Sequence, residues 1–119
     1  MRRLSWLLIV VFLISSCSIF SPDKKADCVL VGSVTVQEDF EGDIKFLGEI
    51  RNQGDGKALF VKIDFTMKNA AGSVIGTDFT YVNSTDLDPG ATSSFECWTE
   101  TPFADVASWD YEITWTDED

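Results

Sequence analysis

The stretch that decides the fold runs from Gly48 to Phe65 and reads Gly-Glu-Ile-Arg-Asn-Gln-Gly-Asp-Gly-Lys-Ala-Leu-Phe-Val-Lys-Ile-Asp-Phe. On both sides of its glycine-rich centre, apolar and polar side chains alternate with a period of two, which is typical of a half-buried strand. Residues 52–56 contain two glycines that can adopt positive φ, so the pattern predicts a β-hairpin. The apolar face consists of Ile44, Phe46, Gly48 and Ile50 before the centre and Leu59, Val61, Ile63, Phe65 and Met67 after it.

Strand patterns continue along the rest of the chain and are separated by turn sequences. Because each predicted strand has one apolar face, a second layer must cover it. Pro89 and Gly90 have the residue types that a type II turn requires at its two central positions. We therefore predict an all-β antiparallel β-sandwich of six to seven strands. Beyond the hairpin, the predicted strands are 27–37, 73–82, 92–99 and 107–116, with turns at 38–43, 69–72 and 87–90.

The first sixteen residues have the pattern of an export signal. Two arginines precede an apolar run from Leu4 to Ile14, which is too short to span a membrane, and small residues follow. The segment 13–17 resembles the lipobox of bacterial lipoproteins, and this resemblance implies that Cys17 is acylated and becomes the new N-terminus. The alternative is an ordinary secretory signal cut nearby. The predicted organisation is a signal peptide (1–16), a lipidated tether (17–26) and a β-sandwich domain (27–117).

Lipidation at Cys17 would place the domain on the extracytoplasmic side of a membrane in the cell envelope. A lipidated cysteine carries at least two acyl chains, and two chains are what a stable anchor needs. The membrane is therefore the first predicted partner, reached through the lipid on Cys17.

The chain is strongly acidic, with 20 acidic and 9 basic residues and a formal net charge of −11. This charge disfavours nucleic acid as a partner, because nucleic-acid binding requires clustered lysine and arginine. It also disfavours direct adsorption of the domain on anionic lipid. The acids account for the solubility of an exported domain, and the open alternatives are a salt-adapted host or a cationic partner.

The sequence predicts no catalytic centre, cofactor or small-molecule substrate. It contains no histidine, which excludes histidine-based triads and imidazole metal ligands. Cys28 and Cys97 both fall on the inward parity of their strands, in a chain predicted to enter an oxidising compartment, so we predict a disulfide. A redox-active pair and two free core thiols are the alternatives. The acidic loop 38–43 could gather Ca²⁺, but it does not match the calcium-loop pattern, and no metal site is assigned.

Two aromatic residues, Phe60 and Trp98, fall on the parity opposite the predicted core. If they are neighbours on one sheet, they form an exposed apolar patch, which is a common mark of a partner site. The alternative is that each packs locally against a loop or the tether.

Several segments together resemble the FxLYD domain, an immunoglobulin-like module of bacterial and archaeal envelope lipoproteins. The similarity covers residues 29–116, although in the motif that names the family, at 65–69, only Phe65 is identical and Lys68 departs from tyrosine. The segments are 48–52, 61–65, 69–72, 74–77 and 87–90 with Phe95.

The resemblance implies an immunoglobulin-like sandwich without a generally established activity. We expect a lipid-anchored, non-catalytic module that binds an envelope protein or polymer. The alternative is a purely architectural envelope lipoprotein or accessory domain without a specific ligand.

Overall fold

The structure, a computed structural model, describes residues 24–118, so the predicted signal peptide and Cys17 lie outside the described residues. Within this range the chain forms seven strands and one short 3-10 helix, Phe103–Asp105. The strands are β1 (Cys28–Leu30), β2 (Thr35–Glu38), β3 (Asp43–Asn52), β4 (Ala58–Lys68), β5 (Val74–Tyr81), β6 (Thr92–Pro102) and β7 (Ser108–Asp117).

The strands form two antiparallel sheets that pack face to face, which confirms the predicted all-β sandwich. In sheet 1, β3 is central and pairs with β6 on one side. On its other side β3 pairs with both short strands, with β1 along residues 50–52 and with β2 along residues 44–47. In sheet 2, β4 is central, between β5 and β7.

The core lies between the two central strands. Phe46 of β3 stacks on Phe65 of β4, with ring centres 4.0 Å apart and planes 3° from parallel. Trp109 of β7 closes one side of this pair, 5.1 Å from the ring of Phe46. The alternating pattern therefore identified the buried faces of these strands correctly. The fully buried apolar side chains of β3, β4 and β6 include Ile44, Ile50, Val61, Ile63, Met67, Phe95 and Cys97.

The predicted hairpin between β3 and β4 is wrong, because the two strands lie in different sheets and do not pair. Facing each other across the sandwich, they bury their two apolar faces against one another. As a hairpin they would lie side by side, and both apolar faces would still need cover. The hairpins that form are β2–β3 and β4–β5.

The loop 53–57 carries the chain from one sheet to the other and packs against residues 24–27. The N–H groups of Asp55 and Gly56 both donate to the Lys25 carbonyl, at 3.0 and 3.1 Å. Contrary to prediction, Gly54 and Gly56 do not have positive φ. They are needed for close approach, since a Cβ on Gly56 would lie 2.8 Å from the Lys24 carbonyl carbon. The folded domain thus includes residues before Asp27.

Asn52 is fully buried and links the loop 53–57 to neighbouring segments through its side chain. Its side-chain nitrogen donates to the carbonyls of Gly56 and Leu87, at 2.7 and 3.0 Å. Its side-chain oxygen accepts from the N–H groups of Asp27 and Gly54, both at 3.0 Å. All four hydrogen bonds that an amide side chain can make are formed.

Two strands depart from simple alternation. The predicted strand 27–37 is split into β1 and β2, because residues 31–34 bulge out of the sheet, with Gly32 at φ 69°. In β4 an extra residue at Phe60, which has φ 53°, shifts the pairing between Leu59 and Lys62. The prediction that Leu59 belongs to the buried face is therefore wrong, because the extra residue places Leu59 on the same face as Lys62.

The predicted turns are confirmed. Asp39 and Asn69 each begin a turn in which the side-chain oxygen accepts two backbone N–H groups. A glycine with positive φ closes each of these turns, and Gly90 has φ 84°, as expected for a type II turn. These local signals determine the β2–β3 and β4–β5 hairpins.

Candidate functional site

Trp98 projects from the outer face of sheet 1 and is 49% exposed. Lys45, directly opposite on β3, places its Nζ 3.9 Å from the centre of the indole ring. The indole Nε1 donates to Glu96 Oε1 at 3.3 Å. One face of the ring is thus already covered by a cation of the same chain.

Phe60 is also outward, at 58% exposed, but it belongs to sheet 2. Its backbone N–H donates to Asp86 Oδ1 at 3.0 Å, which holds the bulge in β4. The exposure predicted for Phe60 and Trp98 is confirmed. The condition for a shared patch, that the two residues are neighbours on one sheet, is not met. Parity assigns a side chain to the outside of a sheet but does not say which sheet.

The outer face of sheet 2 carries a pair of aromatic residues that sequence reasoning did not single out. Phe79 and Tyr81 on β5 are 49% and 44% exposed and contact edge to face, with ring centres 5.9 Å apart. Lys62 on β4 lies directly opposite Tyr81, and its Nζ is 4.7 Å from the centre of the Phe79 ring. We call Phe79 and Tyr81 the aromatic pair.

The position of Gly76 could have shown which face of β5 points into the sandwich. Gly76 shares the parity of Asp78 and Thr80 and lies so close to the Thr101 side chain that a Cβ would collide with it. The glycine parity therefore faces inward, and the aromatic parity faces solvent. A shallow depression of about 450 Å³ adjoins the pair and is lined by residues of β4 and β5, including Asp64, Thr66, Thr77 and Phe79.

The predicted disulfide between Cys28 and Cys97 is wrong, because both thiols are free and far apart in the same sheet. Cys28 lies opposite Asn52 on one side of β3, and Cys97 lies opposite Phe46 on the other. Two strand spacings and the length of strand between these positions put them roughly 20 Å apart. A disulfide requires Cα atoms within about 7 Å.

Both thiols are poor nucleophiles at neutral pH. Burial raises the pKa of Cys28 to about 11, and the carboxylates of Asp27 and Asp117 add to the effect. Burial raises the pKa of Cys97 to about 12, with further contributions from Asp78 and Asp64. The thiolate is the reactive form, so these two cysteines are protonated core residues.

The acidic loop 38–43 uses one of its carboxylates for its own turn. Asp39 Oδ1 accepts from the N–H groups of Glu41 and Asp43 at 2.8 and 3.0 Å. Across residues 24–118, no group of three or more Asp, Glu, Cys or His side chains lies close enough together to hold a metal ion.

A membrane-spanning helix, long and apolar enough to cross a bilayer, is not found in the part of the chain that the structure describes. Comparison of the chain with protein-family models, with curated proteins and with solved structures gave no match.

Proposed function

We propose that this chain is an envelope lipoprotein of the FxLYD type whose domain is a non-catalytic binding module. In this proposal Cys17 carries the lipid that holds the domain at the membrane surface. The leader and the lipobox-like segment support the anchor, and the sandwich supports a module that presents surfaces rather than a deep cleft. The observation that carries the binding function is the aromatic pair.

The aromatic pair is suited to recognition for physical reasons. Phe79 and Tyr81 remain about half exposed on a rigid sheet, so a partner that covers them gains apolar burial with little loss of conformational entropy. Aromatic residues on such rigid elements are frequent anchors of protein interfaces. A lysine lies over the ring of Trp98 and over that of Phe79. Trp98 is the weaker candidate because it is a single exposed aromatic residue on sheet 1, whereas Phe79 and Tyr81 contact each other.

Photo-crosslinking in cells that produce the full-length chain tests the binding function. A photoreactive amino acid is placed at Phe79, and a matched control at Trp98, which is equally exposed on the opposite sheet. We expect a discrete crosslinked product at Phe79 and a weaker product or none at Trp98. The same yield at both positions, or no product at either, would favour the purely architectural lipoprotein.

Intact mass spectrometry of membrane-extracted protein tests the anchor. The expected mass corresponds to loss of residues 1–16 and addition of at least two acyl chains on Cys17, and Cys17→Ser should abolish both changes. A chain that retains its first sixteen residues would contradict the anchor.

A further inference from the structure

The outer edge of β7 is open along the strand. β7 pairs with β4 on one side, and among residues 24–118 no backbone hydrogen bond reaches its other side. About half of the N–H and C=O groups of an edge strand point away from the sheet. Residues Ser108–Asp117 thus present a row of free backbone donors and acceptors.

The inner face beside this edge is incompletely covered. Tyr111 lies directly opposite Phe65, so both side chains are on the inner side of sheet 2. Phe65 is fully buried, yet Tyr111 remains 44% exposed. The facing edge of sheet 1 is interrupted between β1 and β2. Trp109 and Trp115 of β7 still pack against the core, so the incomplete cover is at Tyr111.

On the opposite side of the sandwich the two sheets pack closely. There β5 and β6 meet so tightly that Gly76 has no room for a side chain beside Thr101. The start of β6 is bonded to the loop after β5, where the N–H of Asn83 donates to the Ser94 carbonyl at 2.9 Å. Both β5 and β7 are edge strands of sheet 2. They differ in where the exposed aromatic side chains lie, because Phe79 and Tyr81 are on the outer face of the sheet whereas Tyr111 is on the inner face beside the β7 edge.

Two outward side chains of β7, Asp110 and Glu112, are acidic, and Glu112 is not compensated by a cation among residues 24–118. Glu112 lies directly opposite Asp64 on β4, and like charges in such a cross-strand pair are destabilising. Asp64 and Asp110 each have a lysine nearby, with 3.9 Å between Lys62 Nζ and Asp64 Oδ1 and 3.4 Å between Lys68 Nζ and Asp110 Oδ2. Glu112 forms no ion pair with any of residues 24–118. A cation placed beside Glu112 would relieve this repulsion.

We propose that β7 binds an extended basic peptide segment, which adds to sheet 2 as a further strand. Backbone hydrogen bonds to β7 would supply affinity, as in other cases of strand addition. Lysine or arginine at the outward positions would face Asp110 and Glu112, and apolar residues at the alternate positions would cover Tyr111. This inference rests on the proposed binding function and adds a second binding surface to it, since β7 lies across β4 from the aromatic pair.

A second copy of this chain is a poor occupant of the same edge. Antiparallel pairing of β7 with itself would set the acids of one strand beside the acids of the other. The net charge of −11 adds to this repulsion. The charge therefore distinguishes a basic segment from self-association.

Hydrogen–deuterium exchange of the full-length chain in a neutral detergent tests the proposal. The probe is a synthetic eight-residue peptide of alternating lysine and valine. We expect slower exchange over 108–117 and an affinity at least tenfold lower for the double variant Asp110→Asn, Glu112→Gln. The control Glu49→Gln, on the outer face of sheet 1, should bind the peptide as the wild type does.

A second probe separates strand addition from simple charge attraction. It has the same side chains but is N-methylated at alternate backbone positions, so that it lacks the donors needed for pairing. At least a tenfold loss of affinity supports strand addition, and equal affinity overturns it. Protection of 108–117 that rises with chain concentration in the absence of peptide would overturn the proposal in favour of a second copy.

The location of the effect distinguishes this inference from the proposed function. Peptide protection around the aromatic pair, and not over β7, would overturn the edge assignment but leave a binding module. Protection over β7 together with no crosslink in the envelope would support the edge and count against the binding function in the cell.

Discussion

Asn52 joins three segments of the chain with one side chain: the start of the domain, the crossing loop and the turn before β6. Asn52→Ala should lower the free energy of unfolding by about 3 kcal/mol or more, because several buried groups lose their hydrogen-bond partners at once. Urea unfolding of the purified protein measures the change.

Asn83→Ala is the matched control for Asn52. The Asn83 side chain donates to Ser94 Oγ at 2.9 Å but is exposed, so water can replace the lost bond. We expect a change within about 0.5 kcal/mol. Equal losses in the two variants would mean that burial of the Asn52 network contributes little.

The thiols predict how stability depends on alkaline pH. Cys97 has a pKa of about 12 when folded, against an ordinary pKa of 9.0 for an exposed thiol, so the folded state holds this proton more tightly. The stabilisation is fully present below about pH 9 and is lost as the pH rises from there towards 12. Urea unfolding at about pH 8 and about pH 10.5 should show a smaller decrease with pH for Cys97→Ala than for the wild type. Parallel decreases would contradict this, since the two proteins differ only in this thiol.

At the scale of single elements, the sequence predicted the features that depend on residues close together along the chain, namely the buried face of a strand and the type of a turn. Period-two alternation placed Phe95 and Cys97 in the core, and Pro89 with Gly90 specified a turn that the structure contains. It could not predict which strands pair, because β3 and β4 bury the same residues whether they lie side by side or face to face. The exposure of Phe60 and Trp98 was predictable for the same local reason, and their separation was not.

Gly54 tests the structural basis of the crossing loop. A Cβ at this position would lie 2.6 Å from the Asp27 nitrogen, so Gly54→Ala should force residues 24–27 away from the loop. We expect a loss of about 1–3 kcal/mol, the usual cost of overpacking, and faster exchange of the Asp55 and Gly56 amides. Native-state hydrogen exchange measures both.

Gly90→Ala provides the comparison. Gly90 has φ 84°, and a Cβ added there would have no neighbouring atom within 4 Å, so only backbone strain of about 1 kcal/mol is expected. The amides of residues 55 and 56 should exchange as in the wild type. If Gly54→Ala behaved like Gly90→Ala, steric contact with residues 24–27 would not be the reason for the glycine.

At the scale of the whole molecule, we expect repulsion among acids to outweigh the attraction of the ion pairs. The three ion pairs found among residues 24–118 are partly exposed, and such pairs contribute about 0–1 kcal/mol each. A formal charge of −11 on a small domain opposes compaction. Asp64 and Glu112, which lie directly opposite each other on β4 and β7, are a local example of two facing acids.

Screening should therefore stabilise the protein. Raising sodium chloride from about 10 to about 500 mM shortens the Debye length from about 30 Å to less than about 10 Å. A gain of about 1 kcal/mol would raise Tm by about 4–8 °C for a domain of this size.

Glu112→Gln should stabilise the protein at low salt and reduce its salt response, because it removes one of two facing carboxylates. Asp110→Asn, which removes the partner of Lys68, should not stabilise it. A Tm that falls with added chloride would mean that the ion pairs dominate, and the acidic edge of β7 would then need no cation to balance it.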